Sequence, residues 1–153
     1  MINVLRTIGA LFASLVTVFV LLIAVEGFSA VVHPFPEGMD MHSQEEMCAH
    51  VANYPQWVLA VVVPMWGAIA LVGTWLAQWI GNWISSTIVG VLLLLAVAFN
   101  VSMLPYPIWF KVIILLVVPA ASVLGAWLGR GKARVASHAP QVDSSNESPD
   151  VIS

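Results

Sequence analysis

Strongly polar side chains are scarce in this chain, so the few that interrupt its long apolar runs are the first candidates for chemistry. Glu26, Asn100 and Lys111 do so. An ionisable group in hydrocarbon is costly and counts by default as a functional candidate. Glu26 stands six residues before the end of the first run, Asn100 four before the end of the third, and Lys111 three residues into the fourth. In an antiparallel bundle these positions share one layer, where Asn100 could bridge a Glu26–Lys111 pair. Ser29 and His33 follow Glu26 at i+3 and i+7 and share its helix face, which makes a polar track towards the helix end. The chemistry this layer could do is proton or ion binding, or capture of a polar substrate. Its structural alternatives are a salt bridge that fixes helix register, or a Lys111 that carries its ammonium out to the interface.

A second cluster lies between the first two runs, where Met39, Met41, His42, Met47, Cys48 and His50 crowd together. Thioether, thiolate and imidazole suit soft or borderline ions such as Cu(I) or Zn(II). This makes His42, Met47, Cys48 and His50 the candidate metal ligands. Helical geometry opposes the idea, because Cys48 and His50 would point about 200° apart. The CxxC and HExxH spacings are absent, as are the phosphate-binding glycine loop and the GxSxG turn. Ser85, Ser86 and Thr87 have no basic partner on their own helix, and no histidine inside a run could ligate haem. No catalytic activity and no cofactor are expected.

The elements that must position these residues follow from composition. The chain has 153 residues, 60% hydrophobic and only 8% charged, with a mean hydropathy of +0.95. Soluble domains carry about 25% charged residues, so the partner of this surface is the lipid bilayer. Five Lys and Arg against eight Asp and Glu argue against nucleic acid, which needs a basic patch. The single Cys48 leaves no intrachain disulfide. Four runs reach the roughly 20 residues a spanning helix needs: 7–32, 56–78, 84–104 and 108–128. The first is too long for the apolar core of a signal peptide and is expected to be retained. Arg6, Arg130, Lys132 and Arg134 flank the terminal ends, whereas the connection 33–55 has four acidic residues and no Lys or Arg. The positive-inside rule then puts both termini in the cytoplasm and that connection outside, in a cell's inner membrane. Trp57 and Trp109 would line the outer interface, and Trp79, Trp83 and Trp127 the inner one. Ser43-Gln44-Glu45-Glu46 reads as a capping box opening a short amphipathic helix whose apolar stripe is Met47, Cys48, Val51 and Tyr54. The division expected is a membrane domain over 1–133 and a disordered cytoplasmic tail over 134–153.

The chain also repeats itself. Shifted by 52 residues, Tyr54-Pro55-Gln56-Trp57 falls on Tyr106-Pro107-Ile108-Trp109, Gly73 on Gly125, and Trp75-Leu76 on Trp127-Leu128. A duplicated helical hairpin, with the acidic connection inserted in the first copy and a pseudo-twofold along the membrane normal, explains this pattern. Gly73, Ala77 and Gly81 form one small-residue ridge, and Ala121, Gly125 and Gly129 form another. Such ridges let helix backbones approach closely. Pro64 and Pro119 lie inside the second and fourth spans and are expected to kink them.

With these motifs in view, the chain resembles a family of small bacterial four-span membrane proteins without an assigned activity. The resemblance rests on His33-Pro34-Phe35-Pro36-Glu37-Gly38-Met39-Asp40, on Tyr54-Pro55, and on Asn100 followed by Leu104-Pro105-Tyr106-Pro107-Ile108-Trp109-Phe110. It covers about residues 5–130 and implies a multi-pass inner-membrane protein. The departure is Tyr106, where similar chains are expected to carry His. The leading expectation is a non-enzymatic accessory or structural bundle. Its acidic connection and small-residue ridges would face a membrane-protein partner or another copy of the chain. The alternative is a small transporter or channel subunit using Glu26, Asn100 and Lys111. A third is an outward-facing metal or redox sensor.

Overall fold

Helices make up most of the chain: α1 Ile2–Val32, α2 Gln44–Ala52, α3 Gln56–Ile80, α4 Trp83–Met103 and α5 Ile108–Ala136. This computed structural model describes residues 2–136 except Met39 and Met41, with residues 2–3 and 131–136 as backbone alone. The described residues contain no strand. α1, α3, α4 and α5 are long and apolar enough to cross a membrane, where a helix satisfies its own backbone N–H and C=O groups. The protein is a multi-pass helical bundle.

α3 is its centre. It packs against α1, α4 and α5, and α4 packs against α1 and α5, while among the described residues the backbones of α1 and α5 make no close approach. Each spanning helix gives one stripe to the shared core. On α5 the stripe is Phe110, Ile114 and Val118, and on α4 it is Val89, Leu93, Val97 and Val101. On α1 it runs through Ala10, Ser14, Val18, Val25 and Ser29. The opposite side of α1 exposes Leu5, Phe12, Phe19 and Ile23, as a lipid-facing surface would.

The small-residue ridges lie inside the bundle, so they do not offer the partner-facing surfaces expected of them. A Cβ on Gly73 would stand 2.6 Å from a Val18 methyl of α1, and one on Gly81 would stand 2.7 Å from Cβ of Ala10. Ala77 between them is fully buried. Gly125 sits so close to α3 that a Cβ there would strike the Leu71 carbonyl oxygen and the Thr74 hydroxyl. A Cβ on Gly129 would lie 2.7 Å from Cβ of Gln78. Ala121 packs on the core from the same helix.

Polar ties hold the two ends of the bundle. Asn82 caps α4, its Oδ1 accepting from the Ser85 N–H at 3.1 Å, and its amide donates to Thr7 Oγ1 at 2.9 Å. Arg6 Nε donates to the Ile80 carbonyl at 2.5 Å, so the start of α1 is pinned to the α3–α4 turn. At the other end Trp109 Nε1 donates to Gln56 Oε1 at 2.8 Å, joining the starts of α3 and α5.

Three expectations meet a different geometry. An exact twofold would carry the α3–α4 contact onto an α1–α5 contact, and among the described residues that second close approach is not made; the packing is less symmetric than the sequence repeat. The capping box is half formed. Ser43 Oγ accepts from the Glu46 N–H at 3.4 Å, but the Ser43 N–H already donates to the Asp40 carbonyl, so the Glu46 carboxylate accepts from the Asp40 N–H instead. α5 also runs past Gly129 and Gly131 to Ala136, beyond the expected boundary at 133. Glycine weakens a helix by about 1 kcal/mol without removing a hydrogen bond. The rest of the expected tail, 137–153, lies outside the described residues.

The α3–α5 approach is testable. Gly125→Ala should overpack that contact and cost about 1–3 kcal/mol, read as a lower melting temperature of the detergent-purified protein. Gly9→Ala, with open space around it, should leave the melt unchanged or raise it. Equal melts for the two variants would contradict the close approach.

Candidate functional site

Near the α2 end of the bundle all four spanning helices line one small cavity, with a volume of about 60 Å³. Its apolar walls include Val25 of α1, Leu59 and Trp66 of α3, Val97 of α4 and Ile114 of α5. Its polar groups are Glu26, Ser29, Tyr54, Asn100 and Tyr106. Ser29 belongs to the buried stripe of α1, while Glu26 and Asn100 each stand one residue off a buried stripe, beside Val25 and Val101. A step of one residue is a turn of about 100°, so both are exposed and edge the cavity on the α1–α4 side.

Lys111 is not part of this cavity. It follows Phe110, which is 3% exposed, and the same one-residue step turns it out of the core. No ion pair joins it to Glu26; the one formed among the described residues is His42 Nδ1 with Asp40, at 3.4 Å. The Glu26–Lys111 bridge expected from the sequence is therefore not made.

The track from Glu26 continues differently than a single helix face implies. Ser29 and Tyr54 line the cavity together. Tyr54 in turn lies against His33, with ring centroids 4.6 Å apart. His33 stacks on His50 at 4.4 Å, and His50 stacks on Phe35 at 4.6 Å. The Nε2 atoms of His33 and His50 are buried without a hydrogen-bond partner. These two rings also line a larger depression of about 460 Å³, with Glu37, Glu46 and Asn53 at its rim.

Burial pushes the Tyr106 hydroxyl up to about 12, with Tyr54 and Glu26 adding to it. Burial also raises Tyr54, and Glu26 adds to the rise, against the opposing effect of Ser29. Both phenols therefore stay protonated at neutral pH and can donate or accept. Burial, and then His33, hold the His50 imidazole below its ordinary value of 6.5.

The candidate metal ligands do not converge. His42 has a 97% exposed side chain, and Cys48 Sγ accepts weakly from Gln44 Nε2 at 3.8 Å. His50 is buried on the other side of α2 with Val51, whereas Met47 and Cys48 are half-buried. No three His, Cys, Asp or Glu side chains among the described residues gather as an ion would require. The stacked rings of His33 and His50, with an interplanar angle of 25°, direct their in-plane lone pairs side by side rather than towards one ion. Met39 and Met41 lie outside the described residues. The hydroxyls of Ser86 and Thr87 donate to the Thr74 and Trp83 carbonyls, each at 2.9 Å.

Sequence reasoning found Glu26, Ser29 and Asn100 but missed both tyrosines and the histidine stack. The signal for Tyr54 and Tyr106 was present. The 52-residue repeat superposes them, each before a proline at the start of a span, hence at one depth. The stack had no such signal, because it depends on how the irregular 33–43 connection brings His50 of α2 onto His33.

Comparison of the chain with protein-family models, with curated proteins and with solved structures finds no match. The resemblance to small four-span proteins therefore rests on its motifs alone.

The histidine stack predicts an acid response. Its sign follows from the lowered His50 pKa: as pH falls through about 6.5, the unfolded chain takes up the proton first, and folded stability declines until the lower folded pKa is passed. Melting temperature should therefore fall between pH 7.5 and 5.5, and His50→Phe, which keeps a ring in the stack, should flatten that fall. An unchanged slope in the variant would contradict a neutral, buried His50.

Proposed function

We propose that this is a non-enzymatic protein of a bacterial inner membrane that serves as a small transporter or channel subunit. Both termini would lie in the cytoplasm and α2 outside. The observation that carries the reading is the meeting of Glu26, Ser29 and Asn100 with Tyr54 and Tyr106 around one cavity, with no basic side chain to neutralise the carboxylate. A salt bridge would explain Glu26 structurally, and none joins it among the described residues; a bound species is a reason to hold a carboxylate at this depth. Intramembrane ionisable residues mark ion and substrate paths for the same reason. The duplicated hairpin is the architecture in which such sites arise between repeats.

A second reading, the accessory bundle, is favoured by the exposure of Glu26 and Asn100 on the α1–α4 side. A polar helix of a membrane partner, or of a second copy, could cover both.

Flux separates the two. In proteoliposomes with an imposed salt gradient, read by entrapped pH- and sodium-sensitive dyes, the transport reading expects an ion flux above that of protein-free vesicles. Glu26→Gln should abolish it while inserting normally. No flux with the unaltered protein, or equal flux with Glu26→Gln, would favour the accessory bundle.

A further inference from the structure

We infer that the cavity is a binding site for one monovalent alkali cation, of sodium's size, which names the bound species in the transport reading and rests on that reading only for its purpose. Charge selects the class of ion. Glu26 is the only ionisable acid or base among the lining residues apart from the two phenols, which are neutral at pH 7. Lys111 is turned away, and no Arg or His lines the cavity. An ionised Glu26 therefore leaves the site one negative charge. One bound monovalent cation makes it neutral, whereas a divalent ion would leave a net positive charge where desolvation is costly. An anion meets repulsion.

The donor set agrees with the charge. Carboxylate, amide carbonyl, hydroxyl and two phenol oxygens are hard ligands, suited to alkali and alkaline-earth cations rather than to Cu or Zn. The amide nitrogen of Asn100 can turn outward and present its oxygen, and each hydroxyl can rotate its proton away. Five oxygen-bearing side chains are about the number a small cation needs once a water or two is kept. Space agrees as well. A volume of about 60 Å³ holds a few waters, since one occupies roughly 10–15 Å³ on this measure. That admits one partly hydrated ion and excludes an organic solute. The apolar walls, with Leu59 and Val97 at 2% and 1% exposure, lower the local dielectric and strengthen the carboxylate–cation attraction.

Binding can be read without transport. Melting of the purified full chain is followed in detergent at pH 8, with sodium chloride replacing choline chloride at constant ionic strength. The site predicts a saturable rise in melting temperature with sodium and a response to potassium at least tenfold weaker in apparent affinity. Glu26→Gln should lose the sodium response while melting normally in choline. Tyr106→Phe, which removes one oxygen and keeps the ring, should weaken it without abolishing it; this variant decides the matter if Glu26→Gln fails to fold. Equal rises with sodium, potassium and choline, or an undiminished sodium response in both variants, would overturn the inference. So would a melt that follows pH alone, which would assign the cavity to a proton. A sodium response without ion flux in vesicles would keep the site and refute transport. Flux without a sodium response would do the reverse.

Discussion

Gly125 and Gly129 allow α5 to lie against the backbone of α3, and the rest of the bundle is arranged around that contact. In lipid the hydrophobic drive between helices is lost, so close van der Waals approach and interhelical hydrogen bonds must hold the helices together. α3 uses the opposite ridge, Gly73 to Gly81, to receive α1 and α4. With α3 committed on both sides, α1 and α5 are held apart. At the α2 end that separation is where the polar cavity opens, walled by residues of both helices.

The position of each polar group then follows from its phase on its own helix. Ser29 is in the buried stripe and faces inward. Glu26 and Asn100 are each one residue out of phase, far enough to edge the cavity without entering the core. Lys111 is half-buried, one residue out of phase with the buried stripe of α5 and outside the cavity. Tyr54 and Tyr106, held at the prolines that start α3 and α5, line the cavity with hydroxyls that stay protonated at neutral pH. The result is one carboxyl group at the edge of a cavity lined by neutral oxygen donors, which differs chemically from an ion pair.

The sequence made the spans legible because about 20 consecutive apolar residues have few alternative structures, and the small-residue spacing marked the faces that touch. Glu26, Ser29 and Asn100 were legible because polar residues in such runs stand out. What could not be read was helix phase relative to neighbours. One-residue steps decided that Glu26 and Asn100 meet and that Lys111 does not, and linear depth alone carries no such information. The ridges were recognised but their partners were not, since a small-xxx-small pattern is the same whether it faces another helix of the bundle or another protein. The His33–His50 stack depends on the fold of an irregular connection, where periodicity gives no guidance.

The proposed site requires that the polar cavity beside Asn100 be reached by water from the α2 side. The most direct measurement is the reactivity of a single cysteine at that position, Asn100→Cys in a Cys48→Ala background, towards a small impermeant cationic thiol reagent. With the α2 side outside, as proposed, the account predicts modification in intact cells, because the position borders the polar cavity. Modification only in inverted vesicles, or only by membrane-permeant reagents, would mean that Asn100 faces the cytoplasm or bare lipid, and would contradict it.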